Sequence, residues 1–240
     1  MCRLIWINLE KRLNKGSIIF IFIAIFFVWF LAIYNADFQL SSFEFISSKK
    51  ILIKEYIYET NEVVKLIVFF FVIMLNIQEV TNEIDRFDAY FVSRFGKKRI
   101  FCAKIISMLF LIFAFMLLLY LGIILIYLFR FYEMNFLKNL FFIFINYLLY
   151  FVFIFLIGFI LITIFKNYYS LLLIIAMYWF FEVIVDSPFF KIAKHLFLRV
   201  EFNIEKCYSN FDLSYTYILW LMIGYCCLAG LIYQKKDLNC

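Results

Sequence analysis

Side chains that could carry acid–base, nucleophilic or metal chemistry are few and scattered along this chain. There is one histidine, His195, and the six cysteines show no CxxC spacing; Cys226 and Cys227 are adjacent within an apolar run. Thiols in such surroundings usually pack as small apolar groups. The phosphate-binding loop GxxxxGK[ST] is also absent, because a second lysine follows Gly96 and Lys97 where Ser or Thr is required. We therefore expect no catalytic residue, no metal and no nucleotide on this chain.

The composition points to a protein that lies in lipid. Hydrophobic residues make up 67% of the chain and aromatic residues 24%, with a mean hydropathy of +0.97, whereas soluble domains are about 45–50% apolar. The apolar residues form continuous runs, and a membrane β-barrel would instead alternate apolar and polar residues. The sequence thus predicts an all-α polytopic membrane protein.

Six runs are candidates for transmembrane helices, at about 20 residues for each crossing. The run at 62–78 has a short uncharged part, but it must cross if the later basic cluster is to lie on the same side as the basic N-terminus. The predicted spans are 16–36, 62–78, 105–129, 139–165, 167–185 and 213–234.

The orientation follows from the basic residues, which stay on the cytoplasmic side. The segment 79–104 contains Lys97, Lys98 and Arg99 in succession, so we expect it to be a cytoplasmic loop, with both termini also cytoplasmic. Residues 1–15 mix apolar and basic positions, which suits either an amphipathic helix in the membrane interface or a charged flank that only sets orientation. Residues 186–212 are predicted to be extracellular.

The spans lack charged residues in their central parts, which argues against an ion-coupled carrier. Asn146 is a polar side chain within a span, and it either hydrogen-bonds a neighbouring helix or contacts a substrate. Glu182 and Asp186, near the outer end of the fifth span, either form the mouth of a pathway or are simply solvated.

The cytoplasmic loop contains an amphipathic stretch. Ile84, Phe87, Tyr90 and Phe91 recur at spacings of three and four, which predicts one apolar face of a short helix. Such a helix suits a groove on a partner protein; the alternative is a helix that lies on the membrane surface.

The chain resembles the permease subunits of ABC-2-type ABC exporters. A basic amphipathic N-terminal segment precedes six spans, and the loop after the second span reads E-x3-E-x-D-R-F-D-x4-S-R-F-G-K-K-R-x4-K. The family has a similar acidic start, Ser-Arg pair and later lysine. The chain continues past its last span with Tyr-Gln-Lys-Lys-Asp-Leu, which is similar to the aromatic-basic-basic-Asp pattern common in that family.

The resemblance implies a coupling helix around 83–95 that binds an ABC ATPase subunit, with ATP and Mg bound by that partner. It also implies a second permease copy or paralogue in a homo- or heterodimer, and a re-entrant segment at 186–212. The residues expected to contact the ATPase are Asp85, Arg86, Phe87, Asp88, Phe91 and Arg94.

The aromatic, weakly charged helix faces suggest a lipophilic or amphipathic cargo, such as a peptide, a lipid or a drug, exported across a bacterial plasma membrane. Self-protection against an antimicrobial peptide is one function that such export could serve. We expect contacts with membrane lipids and none with nucleic acid. The alternative is a non-transporting membrane scaffold or sensor, for example in peptide resistance or immunity, whose loop binds a cytosolic partner.

Overall fold

The structure is a computed structural model that describes residues 1–41, 49–78, 91–92, 94–131, 137–165, 172–173, 175–176 and 211–235. Over these residues it is all-helical, without strands. The helices are α1 (Cys2–Arg12), α2 (Lys15–Ser41), α3 (Lys49–Ile77), α4 (Lys97–Phe131), α5 (Leu137–Phe165) and α6 (Phe211–Lys235).

Four helices are long and apolar enough to cross a membrane: α2, the Glu55–Ile77 part of α3, α4, and the Leu140–Phe165 part of α5. The all-helical class is therefore confirmed, and these four helices are compatible with a multi-pass membrane protein. The predicted spans at 16–36, 62–78, 105–129 and 139–165 fall almost wholly within these helices, and 213–234 falls within α6. Most of 167–185 and nearly all of 186–212 lie outside the described residues, so the number of six spans stays a prediction.

The helix starts follow from local sequence. Asn14 caps α2, because its Oδ1 accepts hydrogen bonds from both the backbone N–H and the Oγ of Ser17, each at 2.8 Å. Gly96 precedes α4 with a φ of 81°, a left-handed conformation that costs glycine little. These two residues separate α2 from α1, and α4 from the segment before it.

Three polar contacts show how α2, α3 and α4 are aligned. Gln78 Nε2 donates to Ser17 Oγ at 2.9 Å, and Asn35 Nδ2 donates to Thr60 Oγ1 at 3.5 Å. The two helices α2 and α3 are therefore antiparallel. Near the end of α4, Arg130 lies 3.1 Å from Asp37 of α2. Because α2 and α4 both lead from the Ser17 end toward this ion pair, they run parallel.

The core lies between α3, α4 and α5, where aromatic rings fill the space. For example, the rings of Phe71 on α3 and Phe115 on α4 have centroids 4.3 Å apart. By contrast, α2 is the least buried of the four candidate spans, and large apolar side chains such as Phe22, Phe26 and Phe30 are exposed on it. In a membrane, such a surface would face lipid or another helix rather than water.

Charged residues divide between the two ends of this bundle. At the end where α2 and α4 begin and α3 and α6 finish, which we call the basic end, all charged side chains in the described ranges except Glu10 are basic. They are Arg3, Lys11, Arg12, Lys15, Arg94, Lys97, Lys98, Arg99, Lys104 and Lys235. At the opposite end the described helices carry both signs: Asp37, Glu55, Glu59, Glu62 and Asp212, with Lys49, Lys50, Lys54, Lys65, Arg130 and Lys138.

Candidate docking surface at the basic end

Of the residues expected to contact an ATPase, Phe91 and Arg94 are described, and they lie beside Phe95. The rings of Phe91 and Phe95 are stacked, with centroids 5.9 Å apart and planes 13° apart. The Arg94 guanidinium carbon lies 5.5 Å from the centroid of the Phe95 ring, within the range of a cation–π contact. One exposed cation and two partly exposed rings therefore form a small aromatic–cationic surface just before α4.

Gly96 connects this surface to α4. Its backbone N–H donates to the Val92 carbonyl at 2.9 Å, which closes a helical turn, and the Ile100 N–H donates to the Gly96 carbonyl at 3.4 Å. A positive-φ glycine that ends one turn and begins the next helix fixes the direction of both. The position of the aromatic–cationic surface is therefore set by the start of α4.

The first turns of α4 are fastened to the end of α6. Lys97 Nζ donates to the Gln234 carbonyl at 3.2 Å. One turn further along, Phe101 covers Gly230, since a Cβ on that glycine would lie 3.2 Å from the Phe101 ring. The rings of Phe101 and Tyr233 are 5.5 Å apart. Together these contacts hold α4 and α6 side by side at the basic end.

Lys104 lies within this junction and is almost fully buried, at 1% exposure. Its Nζ is 5.6 Å from the centroid of the Tyr233 ring. Phe159 of α5 adds a third ring, 6.0 Å from Phe101 and 6.3 Å from Tyr233. A cation against an aromatic face gains more when it is shielded from water, so these rings help to hold the Lys104 ammonium inside the bundle.

The helix α1 is attached at the same end, through the end of α3. Arg12 Nη1 donates to the Leu75 carbonyl at 3.4 Å, and Gln78 Nε2 donates to the Arg12 carbonyl at 3.2 Å. Leu4, Asn8 and Arg12 are spaced four residues apart and buried, and α1 contacts α4. Trp6 points away and is 68% exposed. The predicted N-terminal helix is thus present, and its place in the membrane interface stays a prediction.

Other predicted site residues are not brought together by the described part of the chain. Asp85, Arg86, Phe87 and Asp88, with Glu182 and Asp186, lie outside the described residues. Within the described part of the chain, no three His, Cys, Asp or Glu side chains lie together in a way that could hold a metal ion.

Sequence reasoning did not predict the contacts that Phe95, Gln78 and Tyr233 make. The position of Phe95 could have been predicted from the sequence, because Phe95 follows Phe91 by four residues and so continues the same helical face. No sequence pattern predicts the contacts of Gln78 and Tyr233, because their partners, Arg12 and Lys104, are far away in sequence.

Comparison with known proteins adds no relative: no protein family, no curated protein and no solved structure matches the chain. The class of the protein therefore rests on the fold, an all-helical chain with four described helices suited to crossing a membrane.

Proposed function

We propose that the chain is the transmembrane permease subunit of an ATP-driven exporter of the ABC-2 type, in a bacterial plasma membrane. A separate ATPase subunit binds and hydrolyses ATP with Mg. The observation that carries the proposal is the continuous connection from the aromatic–cationic surface at Phe91, Arg94 and Phe95 into α4. An exporter of this class needs a cytoplasmic element that a partner can grip and that leads directly into the membrane.

The contacts at the basic end connect this cytoplasmic element to two helices, α4 and α6. A displacement of Phe95 and Gly96 acts on the start of α4, and α4 is joined there to α6 by Lys97 and Phe101. Packed helices pass on displacements because close-packed interiors have low compressibility. A force applied by the ATPase at the loop would therefore reach two helices together.

The division of charge supports a cytoplasmic position for the basic end. Lys and Arg are retained on the cytoplasmic side, and their clusters dominate orientation. The basic end holds the N-terminal helix, the start of α4 and Lys235 at the end of α6. Both ends of the chain and the docking loop are accordingly assigned to the cytoplasm.

The cargo we propose is lipophilic or amphipathic, with a peptide as the leading class and antimicrobial-peptide immunity as one use. Exposed apolar helix faces such as that of α2 fit a path beside lipid better than a path for a small ion. A second copy or paralogue of the permease would complete the pathway.

The test is co-purification of an ATPase encoded next to this chain, recognised by its phosphate-binding loop. Membranes that contain the affinity-tagged chain are solubilised in mild detergent, and the ATPase is measured in the eluate. We expect Arg94→Glu combined with Phe91→Ala to lower ATPase recovery at least tenfold, because the cation and one ring of the surface are lost. The matched control is Arg3→Glu combined with Phe22→Ala, which changes an exposed arginine and an exposed phenylalanine elsewhere.

Two outcomes contradict the proposal. If no ATPase co-purifies with the unchanged chain, the exporter assignment fails and the alternative of a scaffold or sensor with another cytosolic partner is favoured. If the ATPase binds the Arg94 and Phe91 variant as well as the control, docking does not occur at this surface. Both variants must elute as single species on size-exclusion chromatography, so that loss of the ATPase reflects docking rather than unfolding.

A further inference from the structure

The outward side of α4 combines a long apolar stripe with two cations at one end. Cys102, Ile106, Phe110, Phe113 and Leu117 are all exposed. At about 100° per residue, these positions fall within roughly a quarter of the helix circumference. The buried residues of α4 lie mainly on the opposite side of the helix. The helix contacts α2, α3 and α5. The stripe is therefore a continuous apolar surface along the helix.

Lys98 and Arg99 head this stripe. Both are exposed, and they lie on the same side of α4 as Cys102 and Ile106. The first turn of α4 contains no acidic residue. Two positive charges thus lie at one end of the apolar stripe. This arrangement matches a phospholipid, which has an anionic headgroup at one end and apolar acyl chains beyond it.

The neighbouring helix α6, which the sequence predicts to cross the membrane, indicates the depth of these cations. Leu228 and Leu231 on α6 are exposed, Leu231 by 60%, so apolar surface continues to one turn before Lys235. The end of α6 is level with the start of α4, because Lys97 donates to the Gln234 carbonyl. Because apolar side chains are exposed up to Leu231 of α6, we infer that the hydrocarbon region of the membrane ends close to Lys235. Lys98 and Arg99 are level with Lys235 and therefore lie at the depth of the lipid headgroups.

We propose that Lys98 and Arg99 bind the phosphate of an anionic phospholipid whose acyl chains lie along the α4 stripe. The occupant is a bilayer lipid of the phosphatidylglycerol kind. Basic residues near an anionic membrane surface each contribute attraction that decays within a Debye length. Arginine and lysine suit this role differently: Arg99 offers a planar fork to the phosphate oxygens, whereas Lys98 offers a compact charge. This inference is independent of the proposed exporter function.

The experiment is native mass spectrometry of the detergent-purified full chain, titrated with phosphatidylglycerol or with phosphatidylcholine of identical acyl chains. We expect tighter binding of phosphatidylglycerol. Lys98→Gln combined with Arg99→Gln should weaken that binding by about fivefold for each charge removed, and should leave phosphatidylcholine binding unchanged. The preference should also fall as ionic strength rises.

Two matched variants separate a local site from overall charge. Lys98→Arg combined with Arg99→Lys keeps both charges and should keep the preference within about twofold. Lys11→Gln combined with Lys15→Gln removes two exposed charges at the same end, on α1 and α2, and should also keep it. Each variant must remain monodisperse in the same detergent.

Several results would overturn the inference. It fails if the unchanged chain binds both lipids equally, or if the Lys98 and Arg99 glutamine variant keeps the preference. It also fails if the Lys11 and Lys15 variant loses the preference to the same extent, because the effect would then be overall charge. If soluble glycerol phosphate competes as well as the lipid does, the site is a free-phosphate site. If the glutamine variant loses only a bound ATPase, the surface is a protein contact.

Discussion

Gly122 of α4 lies directly against the indole ring of Trp29 of α2, and a methyl group at Gly122 would overlap the Nε1, Cε2 and Cδ1 atoms of that ring. The absence of a side chain therefore lets α2 and α4 approach closely. Small residues serve this purpose at helix contacts within membranes. The indole contact and the Asp37–Arg130 ion pair both join residues that are 93 positions apart, so the two contacts share one register.

We expect Gly122→Ala to destabilise the chain. Overpacking usually costs about 1–3 kcal/mol, which corresponds to a fall of roughly 2–12 °C in the midpoint of thermal unfolding for a chain of this size. The measurement is the loss of the monodisperse size-exclusion peak after heating in detergent. The control is Gly224→Ala on α6, where a Cβ would meet nothing within 4 Å. That change should be neutral or slightly stabilising, because alanine favours helix more than glycine does. Equal midpoints for the two variants would show that the indole does not fill the Gly122 position.

A buried hydrogen bond between α3 and α4 gives a second prediction. Tyr120 donates its hydroxyl proton to Asn61 Oδ1 at 2.6 Å, and Asn61 Nδ2 donates to the Ile57 carbonyl at 2.6 Å. Tyr120→Phe leaves the Asn61 oxygen without this donor, so the unfolding midpoint should fall. Hydrogen bonds between membrane helices average about 0.6 kcal/mol and reach about 1.7 kcal/mol. A double-mutant cycle with Asn61→Leu should give a coupling energy in that range, and a coupling of zero would contradict the contact.

The aromatic side of the junction between α4 and α6 predicts different effects for two changes at Tyr233. Tyr233→Phe keeps the ring that faces Lys104 and Phe101, so it should lower the unfolding midpoint only slightly. Tyr233→Leu removes the ring, and a cation–π contact shielded from water is worth about 2 kcal/mol; the midpoint should fall by several degrees. If the two changes lower it equally, the ring face makes no specific contribution.

The division of charge predicts which residues an impermeant reagent reaches from outside the cell. In a version of the chain without its native cysteines, Glu55→Cys at the end opposite the basic end should react with a membrane-impermeant maleimide on intact cells. Glu10→Cys at the basic end should react only after the cells are lysed. Both glutamates are exposed, so access to the side chain is matched. The reverse pattern would invert the proposed orientation.

Much of the fold follows from local sequence, whereas the contacts between helices do not. The runs at 105–129 and 139–165 predict α4 and α5 because long uncharged stretches leave few alternatives to a helix in lipid. The ends were less accurate: α4 begins at Lys97, since charged residues can continue a helix beyond the apolar run. The junction of Lys97 with Gln234 joins residues 137 positions apart, and no periodicity or composition indicates such a pair.

The candidate docking surface could be predicted only in part, because its residues are visible in the local sequence but their arrangement is not. Phe91 and Arg94 belong to a loop whose basic cluster and aromatic spacing are visible in the sequence. Their arrangement around Phe95 depends on the turn at Gly96. The sequence allows that turn because glycine tolerates a positive φ, but it does not require it.

The shared register of α2, α3 and α4 has a mechanical consequence. The contact of Trp29 with Gly122 and the ion pair of Asp37 with Arg130 lie eight residues apart on both helices. In addition, α3 is joined to α2 through Thr60 in its middle part and through Gln78 just after its last residue. Sliding or tilting any one of these helices alone would break at least one tie. We therefore expect these three helices to move as one unit, with α6 attached to that unit at the basic end through Lys97.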